Sequence, residues 1–336
     1  MLAFACCGLG LLPLAVTLSQ LVEQLVEHLG PRLGGLCGVL LGNLVELLVA
    51  FNALTSGLYP LVVTSIAGSV LINCLPVLGL GMVIAARGGR SVEIAGHSSE
   101  LQNLQLLMSA LLLALPSIFY GQPMTNALQG NDSPDAFSLY SAAVAVLALG
   151  YYLLAFRLHQ PSSESRATSD SPLQDGVAPM EAAPLAAVVP ALCVITLLVA
   201  IVSEHLVDAL ERLVSGAHLS ELFVGLFLLP LFGCLPEMLI TLRAAANRQM
   251  PLVMTNTVDS SLQLLLFVLP LLVLAGLPLG RHLHLALPPV ALAALAIAVL
   301  TIERVTDNRE VNIYEGLQLI VLFVAMALGA LLLVNP

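Results

Sequence analysis

Two carboxylates stand where lipid is expected. Glu46, within GNLVELLVAF, and Glu237, within GCLPEMLITL, each interrupt a long apolar run. Holding an ionised side chain at mid-membrane costs about 3 kcal/mol even on lenient insertion scales, so each Glu needs a compensating partner. Neither has a basic residue within one helical turn. Oxygen-bearing side chains do surround them. Asn43 precedes Glu46 by three residues and shares its helical face, while Ser65, Ser69 and Asn73 recur every four residues along one stripe of the following run. After Glu237 the matching run carries Thr255, Asn256, Asp259, Ser260 and Gln263. Two carboxylates ringed by hydroxyl and amide oxygens form a hard, oxygen-only pocket suited to Ca²⁺ or Na⁺ rather than to a thiophilic metal. For the individual Ser, Thr and Asn residues a second role stands beside this one, tying neighbouring helices together by hydrogen bonds.

Such a pocket couples ions by electrostatics. It crosses cheaply between the two sides of a membrane when its carboxylates are neutralised by a cation or by protons, whereas an empty, doubly charged pocket is costly to occlude. Competition for the same two Glu residues then links one ion's movement to the other's.

The elements that must position these groups are membrane helices. Of 336 residues, 59% are hydrophobic and only 10% charged, a composition that leaves most of the chain no solvent but lipid. Apolar runs long enough to cross a ~30 Å hydrocarbon core recur throughout. Read against Gly, Pro and polar breakers, they predict ten spans near 2–27, 36–56, 61–86, 103–120, 137–156, 184–212, 221–245, 251–278, 286–302 and 312–334. The expected fold class is therefore an all-α integral membrane protein. The segment 161–183, PSSESRATSDSPLQDGVAPMEAA, is rich in Pro, Ser and acids with little to bury, and reads as a linker between residues 1–160 and 184–336, five helices on either side.

With ten spans the loops alternate in side. Arg32, Arg87, Arg90, Arg157, Arg166, Arg243, Arg248, Arg304 and Arg309 then share one face, and only Arg212 and Arg281 lie on the other. The positive-inside rule makes the Arg-rich face cytoplasmic, which places both termini outside and the linker inside. Met1 to Ala5 carries no basic stretch and the first run continues into Glu23 and Glu27, so a cleaved signal peptide is not expected.

The two halves repeat one another. Laying Gly42–Leu78 over Gly233–Leu269, 191 residues on and without gaps, matches Gly42 with Gly233, Glu46 with Glu237, Pro60 with Pro251, Thr64 with Thr255 and Ser69 with Ser260. Because each half holds an odd number of spans, the second copy enters the membrane upside down, giving two inverted five-helix repeats. This plan puts a substrate site near the midplane, where the copies meet and helices are interrupted. Gly42 and Gly233, each four residues before a Glu, would permit local unwinding or close helix approach.

Other chemistries fit less well. A net charge of −10, with eleven scattered Arg and no Lys, excludes a nucleic-acid surface and a Ser–Lys dyad. No H-E-x-x-H sequence is present, and an aspartyl protease would have only Asp208 and Asp259 to pair. Cys6, Cys7, Cys37, Cys74, Cys193 and Cys234 lack metal-type spacing and read as small hydrophobes. Glu204, Asp208 and Glu211 recur at helical spacing near the outer end of the sixth span, as a wetted cation entrance or a solvated helix end. A channel would share an oxygen-lined site, but inverted halves favour alternating access.

The stretches GNLVELLVAFNALTSG, VVTSIAGSVLINCLPVLG, SELFVGLFLLPLFGCLPEM and NTVDSSLQLLLFVLP together resemble the paired repeats of the calcium:proton exchangers, a branch of the Ca²⁺/cation antiporter superfamily. The likeness extends through LPLAVTLSQLVEQLVEHLGPRLGGL, LYSAAVAVLALGYYLLAFRLH and NIYEGLQLIVLFVAMALG. It implies a secondary cation antiporter of a bacterial inner membrane that exports Ca²⁺ in exchange for H⁺, with Ca²⁺ as transported substrate and no cofactor. It further implies Glu46 and Glu237 as shared ion and proton carriers, with Asn43, Ser69, Ser260 and Gln263 around the pocket. Three positions depart from the family pattern. Cys234 stands where Asn is usual, Met238 where His commonly follows the Glu, and Asp259 where Gly precedes Ser-Ser. Asp259 either faces the pocket as a third carboxylate ligand or bonds to a neighbouring helix. These departures keep exchange of Na⁺, K⁺ or Mn²⁺, or Na⁺-coupled Ca²⁺ exchange, as the alternative expectation.

Overall fold

The computed structural model describes residues 2–88, 91–94, 96–120, 136–158, 184–217, 220–307 and 310–333. In lipid, each backbone N–H and C=O must be satisfied within its own segment, and an apolar chain answers with helices. The helices are α1 (Leu2–Gly42), α2 (Leu44–Thr55), α3 (Tyr59–Ala85), α4 (Gly96–Phe119), α5 (Ala136–Leu158), α6 (Leu185–Ala217), α7 (Glu221–Gly233), α8 (Leu235–Ala246), α9 (Met250–Leu279), α10 (Pro289–Thr306) and α11 (Ile313–Leu333). A two-residue antiparallel ladder, β1 (Val92–Glu93) with β2 (Glu310–Val311), ties the segment after α3 to that before α11.

Eight helices among the described residues are long and apolar enough to cross a membrane. The expected second and seventh spans are not continuous helices. Gly30 (φ 73, ψ 178) breaks α1 in a backbone region essentially reserved for Gly, and the chain folds back so closely that a Cβ on Gly34 would meet the Val26 carbonyl oxygen at 2.5 Å. The helix stops again at Asn43, where α2, a shorter apolar helix, begins. Likewise α7 and α8 are bent by 62° at Cys234, between Pro230 and Pro236, neither of which has an N–H to carry a helix through the bend.

The backbone keeps the repeat in register. Leu44–Thr55 corresponds to Leu235–Ala246, and Tyr59–Ile72 to Met250–Gln263, at the same 191-residue offset. A π-turn at Asn73–Val77 inside α3 is matched by another at Leu264–Val268 inside α9. Even the turn before each long helix is shared, with Gly57 at φ 80 and its counterpart Arg248 at φ 57.

α3 and α9 form the centre. α3 is almost wholly buried, whereas α5, α6 and α11 turn large apolar side chains such as Leu147, Leu197 and Val321 outward, as lipid-facing helices do. Polar groups are found inside instead, among them Asn43, Ser65, Ser69 and Asn73. Glycine sets the close crossings. A Cβ on Gly79 of α3 would lie 2.6 Å from the Gly316 carbonyl oxygen of α11, and one on Gly316 the same distance from that of Gly79. Gly225 of α7 packs directly on Thr64, and Gly68 on the Leu226 carbonyl, which clamps α3 to α7.

Candidate functional site

Each helix break sets a Glu at the same place. Asn43 (φ −102, ψ 27) precedes α2 and Cys234 (φ −77, ψ −6) precedes α8, so Glu46 and Glu237 are both the third residue of a new helix. The first-turn N–H groups of a helix lack intrahelical acceptors and favour negative charge, and the Glu46 carboxylate accepts a bond from its own backbone N–H. This dipole effect contributes about 0.3–1 kcal/mol, less than the cost of the membrane-buried charge, so a cation or a proton must supply the remainder.

The two breaks face one another across the repeat boundary. Glu46 is buried and points at Gly233, where a Cβ would sit 3.3 Å from its Oε1. Beside it lies a small cavity of about 20 Å³, room for about one water, whose polar lining is Glu46, Ser65 and Ser69 and whose walls include Val49, Ile66 and Pro230. Glu237 Oε2 accepts a bond of 3.2 Å from Asn73 Nδ2, and Ser260 bonds the same carboxylate. Asn43 Nδ2 donates to Gln263 Oε1 at 2.5 Å. The Asn43 Oδ1 is buried without a hydrogen-bond partner, a position that costs about 1–3 kcal/mol unless a donor or cation meets it. Glu46 and Glu237 are close enough to feel each other's charge. Asn43, Glu46, Ser69, Glu237, Ser260 and Gln263 thus fall within one region spanning both halves.

Asp259 has a different setting. Its Oδ1 accepts a bond of 2.9 Å from Gln102 Nε2 of α4, and its charge is felt by Tyr152 of α5. Gln102 and Tyr152 were not marked by the sequence, although Gln102-Asn103 at the head of an apolar run was a signal. Asn103 Nδ2 donates to Thr306 Oγ1 of α10 at 2.6 Å, so this pair ties α4 to two other helices.

The repeat is kept less strictly in side chains than in backbone. Asn43 corresponds to Cys234 and Gln263 to Ile72, and the polar pair Asn43–Gln263 is replaced by a small apolar cluster of Cys234, Ile72 and Val77, flanked by Met238 and Phe323. The Cys234 thiol lies 3.8 Å from the Ser69 carbonyl oxygen. The amide pair of one half therefore has only carbon and sulfur as its counterpart in the other. Among the described residues no three His, Cys, Asp or Glu groups are arranged to hold a metal by themselves.

The model of the sodium/calcium exchanger protein family matches residues 1–158 and 188–332, which include both breaks and every candidate site residue. The chain belongs to the sodium/calcium exchanger protein family. Its relatives in that family include a Ca²⁺/H⁺ antiporter of Aphanothece halophytica, 30% identical over 334 residues, which cover 97% of this chain and 89% of the relative. The Ca²⁺/H⁺ antiporter ChaA of Bacillus subtilis is 30% identical over 294 residues, 86% of this chain and 80% of the relative. The fold of the exchanger family is found in native YfkE, with a TM-score of 0.80 and 24% identity over 98% of this chain and 92% of that one. It is found also in the H⁺/Ca²⁺ exchanger CAX, with a TM-score of 0.68 and 14% identity over 97% of this chain and 81% of that one.

Proposed function

We propose that this protein is a secondary active antiporter that exports Ca²⁺ in exchange for H⁺, with Glu46 and Glu237 as the shared carriers of both ions. The observation that carries this reading is the matched placement of the two carboxylates. Each is the third residue after a helix break, and each reaches the opposite half, Glu46 at Gly233 and Glu237 at Asn73. Asn43, Ser69, Ser260 and Gln263 supply the neutral oxygens. Ca²⁺ would neutralise both carboxylates in one limb of the cycle and protons in the other, so that the empty, doubly charged pocket never has to be occluded.

The matching backbone registers, kink and breaks support ten spans in two inverted five-helix repeats, 1–160 and 184–336. The linker 161–183 lies outside the described residues. The one-sided distribution of Arg supports a cytoplasmic linker and termini on the outer side of a bacterial plasma membrane. A second reading, exchange of Na⁺, K⁺ or Mn²⁺ or coupling to Na⁺, draws on the apolar Cys234–Ile72 side of the site. Energised inside-out vesicles carrying a pH-sensitive dye separate the two. Collapse of the proton gradient on adding Ca²⁺ to wild type, but not to Glu46→Gln or Glu237→Gln, is the expected result. Collapse by another cation alone would select the second reading, and normal exchange in either Gln variant would remove the pocket from its role.

A further inference from the structure

The residues that line the cavity beside Glu46 lie at and to one side of the helix breaks. Its α3 lining, Ser65 and Ser69, lies six and ten residues from Tyr59, or about 9 and 15 Å along a helix that rises ~1.5 Å per residue. Half the thickness of a ~30 Å core is the same ~15 Å, so these residues run from the level of the helix breaks toward the face where α2 ends and α3 begins. Val49, downstream of Glu46 on α2, and Leu229 and Pro230, upstream of the α7 break, lie on that side as well.

The internal repeat supplies the counterpart of this path. Moved by the 191-residue register, Glu46, Val49, Ser65, Ile66, Ser69 and Gly233 become Glu237, Ile240, Asn256, Thr257, Ser260 and Gly42. In an inverted repeat these residues line the way from the site to the opposite face, where α8 ends near Arg243 and Arg248 and α9 begins. In polar groups the two paths differ at two adjacent positions, Ser65 against Asn256 and Ile66 against Thr257. Ser65 donates its hydroxyl to the Val62 carbonyl of its own helix at 2.9 Å, whereas its counterpart is the half-buried amide of Asn256. Thr257, beside it, likewise turns its hydroxyl back to Val253 and Met254.

We propose that Asn256 is a cation-binding residue of the access path on the Arg-rich face, where its amide oxygen replaces hydration water of a divalent cation on its way to Glu237. This rests on the antiporter reading and adds a sidedness to it, because at matching positions one path offers the cation a carboxamide oxygen on a longer side chain and the other a serine hydroxyl.

The test is the apparent KM for Ca²⁺ measured separately from each face, in inside-out and right-side-out vesicles, for wild type, Asn256→Ala and Asn256→Asp. Asn256→Ala is expected to raise KM about five-fold or more at the Arg-rich face and to leave it unchanged at the other, a difference of about 1 kcal/mol in one-sided affinity. Asn256→Asp keeps an oxygen and is expected to restore it. An equal rise at both faces, or none, overturns the proposal. If Asn256→Ala is not recovered folded, labelling of Asn256→Cys by a hydrophilic thiol reagent decides. Reaction from the Arg-rich face, blocked by Ca²⁺, supports the path; reaction from the other face alone, or none, refutes it. A wild type that moves no Ca²⁺ from either face would instead overturn the antiporter reading itself.

Discussion

Asn43 and Gln263 join the two halves by a single amide-to-amide hydrogen bond of 2.5 Å. Asn43 is the residue at which the first-half helix breaks, and Gln263 is the last α-helical residue before the π-turn of α9. Both backbone irregularities are thereby fastened at one point beside Glu46. Asn43→Ala removes the tie and the oxygen, and is expected to lower Ca²⁺ affinity at least ten-fold. Gln263→Leu is expected to do less in Asn43→Ala than in wild type. A double-mutant cycle on binding affinity measures the coupling, and strict additivity would show that the bond plays no part.

The apolar pair on the opposite side predicts a stability effect. Cys234→Asn buries an amide against Ile72 and Val77, at a cost of about 1–3 kcal/mol for its unpaired polar atoms. Adding Ile72→Gln rebuilds the pairing seen at Asn43–Gln263 and is expected to recover most of the loss. Thermal unfolding in detergent of the two single variants and the double variant checks this, and a double variant less stable than either single would contradict it.

The Gly79–Gly316 crossing leaves no room for a side chain, since each Cβ would come within 2.6 Å of the other's carbonyl oxygen. Gly79→Val or Gly316→Val is expected to separate α3 from α11 and lower the yield of monodisperse protein several-fold. Gly150, on lipid-facing α5 with open space around it, serves as the control position. Elution profiles in detergent read the difference.

Gln102→Leu strips the Asp259 carboxylate of its amide donor from α4. Removing one partner of a buried bond to a charged group costs more than the bond is worth net, so a loss of about 1–3 kcal/mol in stability is expected. Combining it with Asp259→Gly, the residue type found at the corresponding Gly68, is expected to reverse much of that loss. Unfolding midpoints of the single and double variants test the pairing.

Much of this protein is decided by its sequence alone. Hydropathy dictates membrane helices because lipid leaves the backbone no other partner, and their boundaries near 101, 136, 250 and 313 are legible from apolar runs and breakers. The duplicated Gly42-x-x-x-Glu46 and Gly233-x-x-x-Glu237 mark the proposed site, since carboxylates in apolar runs are costly. Tertiary structure decided the rest. Whether Asp259 turns toward the pocket or toward α4 depends on which helix supplies a donor at that depth, and only packing brings Gln102 there. The breaks at Asn43 and Cys234 lie inside continuous hydrophobic stretches, where hydropathy counts side chains and carries no information on backbone angles. Finally, Ile72 and Cys234 read as ordinary apolar residues in sequence. Their meaning as the counterpart of Asn43–Gln263 arises only when the two halves are folded face to face, because a contact between repeats is a property of their packing and of neither segment by itself.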